Sequence, residues 1–271
     1  MTTLPFTFGI PLLPRSAARN WRRVEALLEL TLASVFAQTD QDFTVVVAGH
    51  DRPESLPDDP RICFLEARWP AVAVRADNGD RGRKADALNR YTLEHGGGLL
   101  MLLDADDWVD VRLVEMARAA LRGEEVAAVV ETGFAVDFRG LRAAPLPHDD
   151  VFPGEFHRLC GSSVVLKLRP HDAAPLRRDP YQVLHEHYRV IEEAALHGGT
   201  VARMPAAGAY VINTEENHSE IHGPYAAWRR DFCAAVDRVG APADAPFAAR
   251  FGFDIERLQT AAAREYSAHR G

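Results

Sequence analysis

Residues 99–110 read LLMLLDADDWVD, a run of large aliphatic side chains that stops abruptly at Asp104, Asp106 and Asp107. Five apolar residues in a row without helical spacing predict a strand buried on both faces, as parallel sheets require. Open α/β sheets bind ligands just outside the carboxyl ends of such strands, and here that end carries three carboxylates. Asp104 and Asp106 stand two apart, so on extended backbone they point to one side, where a divalent cation can be shared between a carboxylate and a substrate diphosphate. Magnesium or manganese suits that oxygen-rich chemistry. The same acids also suit a helix N-terminus, with Asp107 or Asp110 as cap and the others favouring the dipole.

Working upstream, short apolar runs alternate with helical patterns, which predicts βα units and a mostly parallel sheet. Phe6–Leu12 reads as the first strand. Trp21–Ala37 reads as a helix with Asn20 as its cap and Val24, Leu27, Leu28, Leu32 and Val35 at helical spacing. Phe43–Ala48 (FTVVVA) and Ile62–Glu66 read as further strands, and Lys84–Leu93 as a helix after the polar loop RADNGDRG. Downstream, a helix spans about Val111–Arg122 and residues 127–138 hold one or two strands. Residues 139–157, with Pro145, Pro147, Pro153 and Gly154, read as irregular. A strand at Ser163–Leu168 precedes a helix that starts at Asp179-Pro180 and runs toward Leu196 before Gly198-Gly199. Two short strands near Val201 and Tyr210 follow, then two tail helices separated near Gly240–Pro246.

Composition removes several classes. With 271 residues, 47% of them hydrophobic, the chain can bury a large core and is neither disordered nor fibrous. Its 31 basic against 39 acidic residues give −8, a charge that repels a phosphate backbone, so no nucleic-acid partner is expected. Only two of the basic residues are lysine, Lys84 and Lys167. Cys63, Cys160 and Cys233 are too scattered for a zinc knuckle or a disulfide framework. The N-terminus lacks a basic leader and is broken by Pro5, Pro11 and Pro14, and no segment approaches the roughly 20 apolar residues of a membrane helix. A cytoplasmic protein is expected, with peripheral contact at the inner membrane face left open. The phosphate loop G-x-x-x-x-G-K-[ST], the G-x-G-x-x-G turn and the G-x-S-x-G elbow are absent, which argues against common NTPases, dinucleotide oxidoreductases and α/β-hydrolases.

The order of parts resembles the family 2 glycosyltransferases of the GT-A fold over roughly residues 5–220. IPLLPRSAARNWRRVEALLELTLASVFAQTDQDFTVVVAGHD looks like that family's opening unit, a strand, a helix ending in S-x-x-x-Q (Ser34, Gln38) and a strand closing on an aspartate. RADNGDRGRKADALN resembles its donor-phosphate loop, and Asp104-Ala105-Asp106-Asp107 its D-x-D-D signature. The resemblance implies an α/β, GT-A-type, mostly parallel sheet flanked by helices. Residues 1–110 would form the nucleotide-sugar-binding half and 111–223 the acceptor half, with a helical appendage over 224–271.

The resemblance also implies roles. Pro11 and Asp51 would border the nucleoside, although Asp51 also suits a turn before Arg52-Pro53. Arg83 or Lys84 would sit by the phosphates, where a cation offsets charge on the leaving diphosphate, with Asp77 in the same donor-binding loop; a solvated helix start, with Asp77 and Asn78 as loop caps, is the rival reading. Asp104 and Ala105 would meet the donor, Asp104 at the ribose hydroxyls. Asp106 would hold Mn²⁺ or Mg²⁺, with Asp104 and His218 as further ligands. For an inverting transfer a base must take the proton of the acceptor hydroxyl, and VLHEHYRVIEEAALHGG offers Glu186, flanked by His185 and His187, where the family has an acidic pair. An exposed helix face is the rival reading, and a histidine base is chemically possible. AYVINTEENHSEIHG resembles the closing segment through Asn217 and Ser219, so that His218 or His222 would supply a metal or phosphate contact; both also suit the surface. Cys160-Gly161-Ser162-Ser163 resembles the lining of the acceptor pocket, and a tight strand start explains its glycine equally well. The expected activity is metal-dependent transfer of a sugar from a nucleotide diphosphate to an unidentified hydroxyl, in polysaccharide or glycoconjugate synthesis. A sugar-phosphate nucleotidyltransferase and a catalytically silent nucleotide-sugar-binding protein are the alternatives.

Overall fold

The β-branched core of TVVVAG and the aliphatic run GLLML each have room for only one structure, a strand covered on both faces. In the computed structural model, which describes residues 4–71, 78–217 and 226–267, β1 (Phe6–Pro11), β2 (Thr44–Gly49), β3 (Ile62–Glu66) and β4 (Gly98–Leu102) lie side by side in the order β3-β2-β1-β4. All three pairings are parallel. The chain steps outward from β1 to β3 and returns to the other side of β1 at β4, so a topological switch lies between β1 and β4, where α/β sheets bind ligands. Beyond β4 the sheet continues through β8 (Val164–Leu168), β6 (Ala127–Asp137) and β7 (Arg142–Leu146), each antiparallel to its neighbour. β9 (Val201–Ile212) runs parallel to β6 and also takes the two-residue β5 (Trp108–Val109) antiparallel. The α/β architecture with its helix-flanked central sheet is the one expected.

Helices cover this sheet. α1 (Trp21–Phe36) starts where predicted, with the Asn20 side chain accepting from the Arg23 amide. α2 (Gly79–Glu94) lies over β1, and Gly9 permits that approach: a side chain there would begin 3.3 Å from Leu88 and from Leu100. α3 is Leu113–Ala120.

Several boundaries differ from the sequence reading. α2 begins five residues before Lys84, because the polar stretch GDRGR forms its first turn. The irregular stretch 139–157 contains β7, whose Pro145 occupies a position a ladder tolerates, and a 3₁₀ turn at Phe156–Arg158. The single helix expected from Pro180 toward Leu196 is broken: α5 (Pro180–Val183) follows the short α4 (Pro175–Arg178), and extended residues plus a 3₁₀ turn at His187–Arg189 precede α6 (Val190–Leu196). The two strands near Val201 and Tyr210 are one strand, β9.

The tail forms three helices, α7 (Ala226–Val239), α8 (Ala245–Arg250) and α9 (Ile255–Ser267), and its β10 (Ala241–Pro242) pairs with the edge of β7. Phe247, Phe251, Phe253 and Leu258 pack on Leu27, Leu30, Trp108, Val136 and Phe138, so the tail shares a core with the sheet. Among the described residues no helix is long and apolar enough to cross a membrane.

Candidate functional site

The acidic motif emerges from β4 as a turn, with the Asp107 amide donating to the Asp104 carbonyl at 3.2 Å. Its three carboxylates diverge. Asp107 is buried and points into the core, where Oδ1 accepts from the Val211 amide (3.0 Å) and Oδ2 from the Cys160 thiol (3.4 Å). Burial, with Asp104 nearby, raises its carboxyl to about 7. Asp104 and Asp106 stay half-exposed at the sheet edge. Asp107 is therefore not a helix cap, and Asp110 serves the turn before α3 by accepting from the Arg112 amide at 2.9 Å. Ser34 and Gln38 fix the far side of this turn: the Ser34 hydroxyl accepts from the Val109 amide (3.2 Å), and the Gln38 amide group donates to the Asp110 carbonyl (2.7 Å) while accepting from Val114 (3.0 Å).

α2 supplies the cation facing these acids. Arg81 reaches Asp104 with both Nε (2.8 Å) and Nη2 (2.7 Å), and that carboxylate holds its guanidinium above the ordinary range. Lys84 is buried; its Nζ donates to the Leu12 carbonyl (2.7 Å) at the end of β1 and pairs with Asp80. Desolvation lowers its ammonium despite that partner. Asp80 also accepts from the Trp69 indole at 3.0 Å. Arg83 points to solvent. Across the switch, Pro11 is buried in β1, and Asp51 receives the Arg15 amide at 2.9 Å, tying the exits of β1 and β2 together.

The opposite wall is the turn 156–163 with the 3₁₀ turn at 187–189. Phe156 sits on Gly133 and Gly208, paired neighbours on β6 and β9; a side chain on either would begin 2.4–2.5 Å from its ring. That seat fixes the following turn, whose Ser162 hydroxyl accepts from the Asp104 amide at 2.9 Å. Gly161 opens the wall: a side chain there would start 3.3 Å from Arg81 Nη2, 3.7 Å from His187 Cδ2 and 3.9 Å from Asp104 Oδ2. His187 is half-buried, its Nδ1 lies 2.7 Å from the His157 carbonyl, and desolvation lowers its imidazolium below the usual histidine range.

The last wall is residues 213–217. Asn217 Nδ2 donates to Asp106 Oδ2 at 3.4 Å. The segment is clasped to the start of α1: Glu216 accepts from the Arg19 (3.0 Å) and Asn20 (2.7 Å) amides, and buried Arg23 reaches the Thr214 carbonyl (3.4 Å) and pairs with Glu215.

Of the residues singled out in the sequence, Pro11, Asp51, Lys84, Asp104, Ala105 and Asp106 converge on the carboxyl edge of the parallel strands. Asp77 and His218 lie outside the described residues. Two of the expected residues sit differently from the rest. Lys84 is an internal tie between α2 and β1, and the half-buried α2 cation at the acids is Arg81, one helical turn before it. Glu186 lies exposed at the surface with its amide 3.5 Å from Glu193, while the next residue, His187, turns inward. Arg81 was discoverable: Arg81, Lys84, Ala85 and Leu88 share one face of a helix. The fit for a divalent ion is sound, since Asp106 presents a half-exposed carboxylate and such ions combine one or two carboxylates with water and substrate phosphate. Among the described residues no cluster of three or more metal-binding side chains forms.

The switch-point sheet edge carries the D-x-D-D turn with Arg81 set against Asp104, where α/β sheets take their ligands, and the family the chain matches makes it a glycosyltransferase. A family model described as "Putative rhamnosyl transferase" matches residues 16–191, well over half of the chain, and the protein belongs to that family. Among solved structures it is similar to a putative nucleotide-diphospho-sugar transferase from Desulfovibrio desulfuricans (10% identity, 88% of this chain and 99% of that one, TM-score 0.39). It is similar also to the galactosyltransferase LgtC in complex with donor and acceptor sugar analogues (12% identity, 87% and 96%, TM-score 0.39). A third is a Francisella tularensis 2-C-methyl-D-erythritol 4-phosphate cytidylyltransferase (9%, 83% and 99%, TM-score 0.40). No curated protein matches the sequence.

Proposed function

We propose that this glycosyltransferase moves a rhamnosyl group from a nucleoside diphosphate to a hydroxyl acceptor with inversion, in the assembly of a polysaccharide or other glycoconjugate. The observation that carries this reading is the pair of half-exposed carboxylates, Asp104 and Asp106, at the switch-point edge of β4, with Arg81 set against them. The nucleoside would lie along Pro11 and Asp51, its ribose hydroxyls donating to Asp104, with Ala105 beneath the donor. Arg81 and Arg83, with Asp77, would border the diphosphate, and Lys84 would hold the β1 end that shapes this edge. Asp106 would hold Mn²⁺ or Mg²⁺, with Asp104 and His218 as further ligands; such an ion supplies positive charge against the leaving diphosphate. Asn217 would orient the Asp106 carboxylate. The acceptor would approach from the side of Gly161 and His187. A reducing cytoplasmic setting would keep Cys63, Cys160 and Cys233 out of disulfides.

The test is a thermal-shift panel of UDP, GDP, dTDP, CMP and their sugars, dTDP-L-rhamnose and UDP-L-rhamnose included, each with Mn²⁺, Mg²⁺ or EDTA. A ligand at about 100 times its Kd adds about 2.7 kcal/mol, a rise of about 5–10 °C for a chain of this size. Stabilisation by one diphosphate nucleotide that EDTA abolishes is expected. No shift with any nucleotide sugar in the presence of metal overturns the reading.

A further inference from the structure

We infer that His187 is the catalytic base that takes the proton of the acceptor hydroxyl, with its tautomer set by the backbone carbonyl of His157. The inference rests on the transferase reading and names a residue for its central step. A carbonyl oxygen only accepts, so the 2.7 Å contact places the proton on His187 Nδ1. In the neutral ring that leaves Nε2 as a bare lone pair, and among the described residues Nε2 makes no hydrogen bond. The ring edge beside Nε2 is the part that faces the opening at Gly161, with Cδ2 3.7 Å from where a side chain there would begin. Burial and the nearby Arg81 guanidinium hold the resting ring neutral, and the Asp104 and Glu186 carboxylates favour an imidazolium once a proton arrives. This is the arrangement of an oriented base, one ring nitrogen fixed by a structural acceptor and the other left for substrate.

The acceptor of that hydrogen bond is held by packing. The His157 carbonyl belongs to the 3₁₀ turn seated by Phe156 on Gly133 and Gly208, and the His157 side chain is fully buried. Glu186 has no such support.

In the step itself, the acceptor oxygen forms its bond to the anomeric carbon as the bond from that carbon to the diphosphate oxygen breaks. The bonding pair leaves on the nucleoside diphosphate, and the hydroxyl proton moves to Nε2, making His187 an imidazolium that later returns the proton to water. No oxidant or further reactant is needed.

The experiment compares wild type with His187→Ala, His187→Asn and Glu186→Gln in the full chain. The donor is the nucleotide rhamnose that binds best in the panel, and released nucleoside diphosphate is counted with water or a p-nitrophenyl glycoside as acceptor. A positioned base contributes about 10²–10⁴-fold. His187→Ala should therefore lose at least about 100-fold in kcat while its donor Kd stays within about twofold, and added imidazole should restore part of the rate. His187→Asn, which keeps a donor for the His157 carbonyl but has no base, should be equally slow; a purely structural role would be rescued by it. Glu186→Gln should retain most activity. In parallel, ¹⁵N NMR should show the Nδ1–H tautomer at His187, assigned by its loss in His187→Asn. An Nε2–H tautomer, wild-type turnover in either His187 variant, or a loss confined to Glu186→Gln overturns the inference and leaves the transferase reading standing. Wild type that neither binds nor turns over any nucleotide sugar overturns both.

Discussion

Replacing Lys84 by Met tests whether this lysine is an internal tie or a surface cation for the donor. The ammonium is 1% exposed, donates to the Leu12 carbonyl at 2.7 Å and pairs with Asp80, which is itself 13% exposed and holds Trp69. Methionine fills a similar volume, so the packing cost is small. The electrostatic cost is not: Asp80 is left as a nearly buried charge with the Trp69 indole N–H and, at 3.9 Å, His50, and the Leu12 carbonyl loses its donor. Breaking a buried pair by removing one partner costs about 3–5 kcal/mol, against a total stability of about 5–15 kcal/mol. At about 2–4 °C per kcal/mol, Lys84→Met should melt about 6–20 °C below wild type in calorimetry. Asp80→Asn in the same chain should recover part of the loss, with a coupling of up to about 3 kcal/mol. Arg83→Ala, one residue away and solvent-facing, should stay within about 0.5 kcal/mol of wild type. A Lys84→Met protein that melts within a degree or two of wild type would refute the assignment and return Lys84 to the phosphates.

Asp106→Asn should keep the wild-type melting temperature without ligand and lose the metal-dependent stabilisation by nucleotide; an unchanged shift with Mn²⁺ would move the ion elsewhere. Arg23→Met should destabilise by about 1.5–3 kcal/mol, since buried charge-assisted bonds to the 213–217 segment and to the Glu265 carbonyl at 3.1 Å are lost together; urea denaturation reads this. Burial lowers the His157 imidazolium, so the folded state refuses a proton that the unfolded chain accepts below about pH 6.5. Stability should therefore fall as pH drops through that value and be insensitive to this group above it. His157→Gln should flatten that slope in urea midpoints measured from pH 5 to 8, and an unchanged slope would count against the buried neutral ring.

Much of this was legible from residues alone, because the signals are local. An aliphatic run that ends in acids reads as a buried strand with a polar exit whatever surrounds it, and Asn20 ahead of an amphipathic run reads as a cap. The break between Pro180 and Leu196 was not legible: Leu184 and Val190 fit a helical face equally well, and the chain leaves the helix because His187 turns in to the 156–158 turn, a contact 30 residues away in sequence. The tail, too, looked like an appendage because its amphipathic faces do not state their partner; only packing put Phe251 and Phe253 on Trp108, with ring centroids 6.2 and 4.9 Å from it.

The division at the site has the same cause. Sequence by itself determined the α/β class, the strand that carries Asp104 and Asp106, and the helix that carries the cations, since periodicity and a sharp change of polarity are properties of neighbouring residues. Tertiary structure decided which of three carboxylates stays half-exposed and which is buried, that Arg81 meets Asp104 while Lys84 turns to Leu12, and that His187 faces inward where Glu186 does not. Those outcomes depend on helix rotation, on the glycine pair that seats Phe156, and on hydrogen bonds between segments far apart in the chain. Such distances are set by packing the whole core, and no window of sequence contains them.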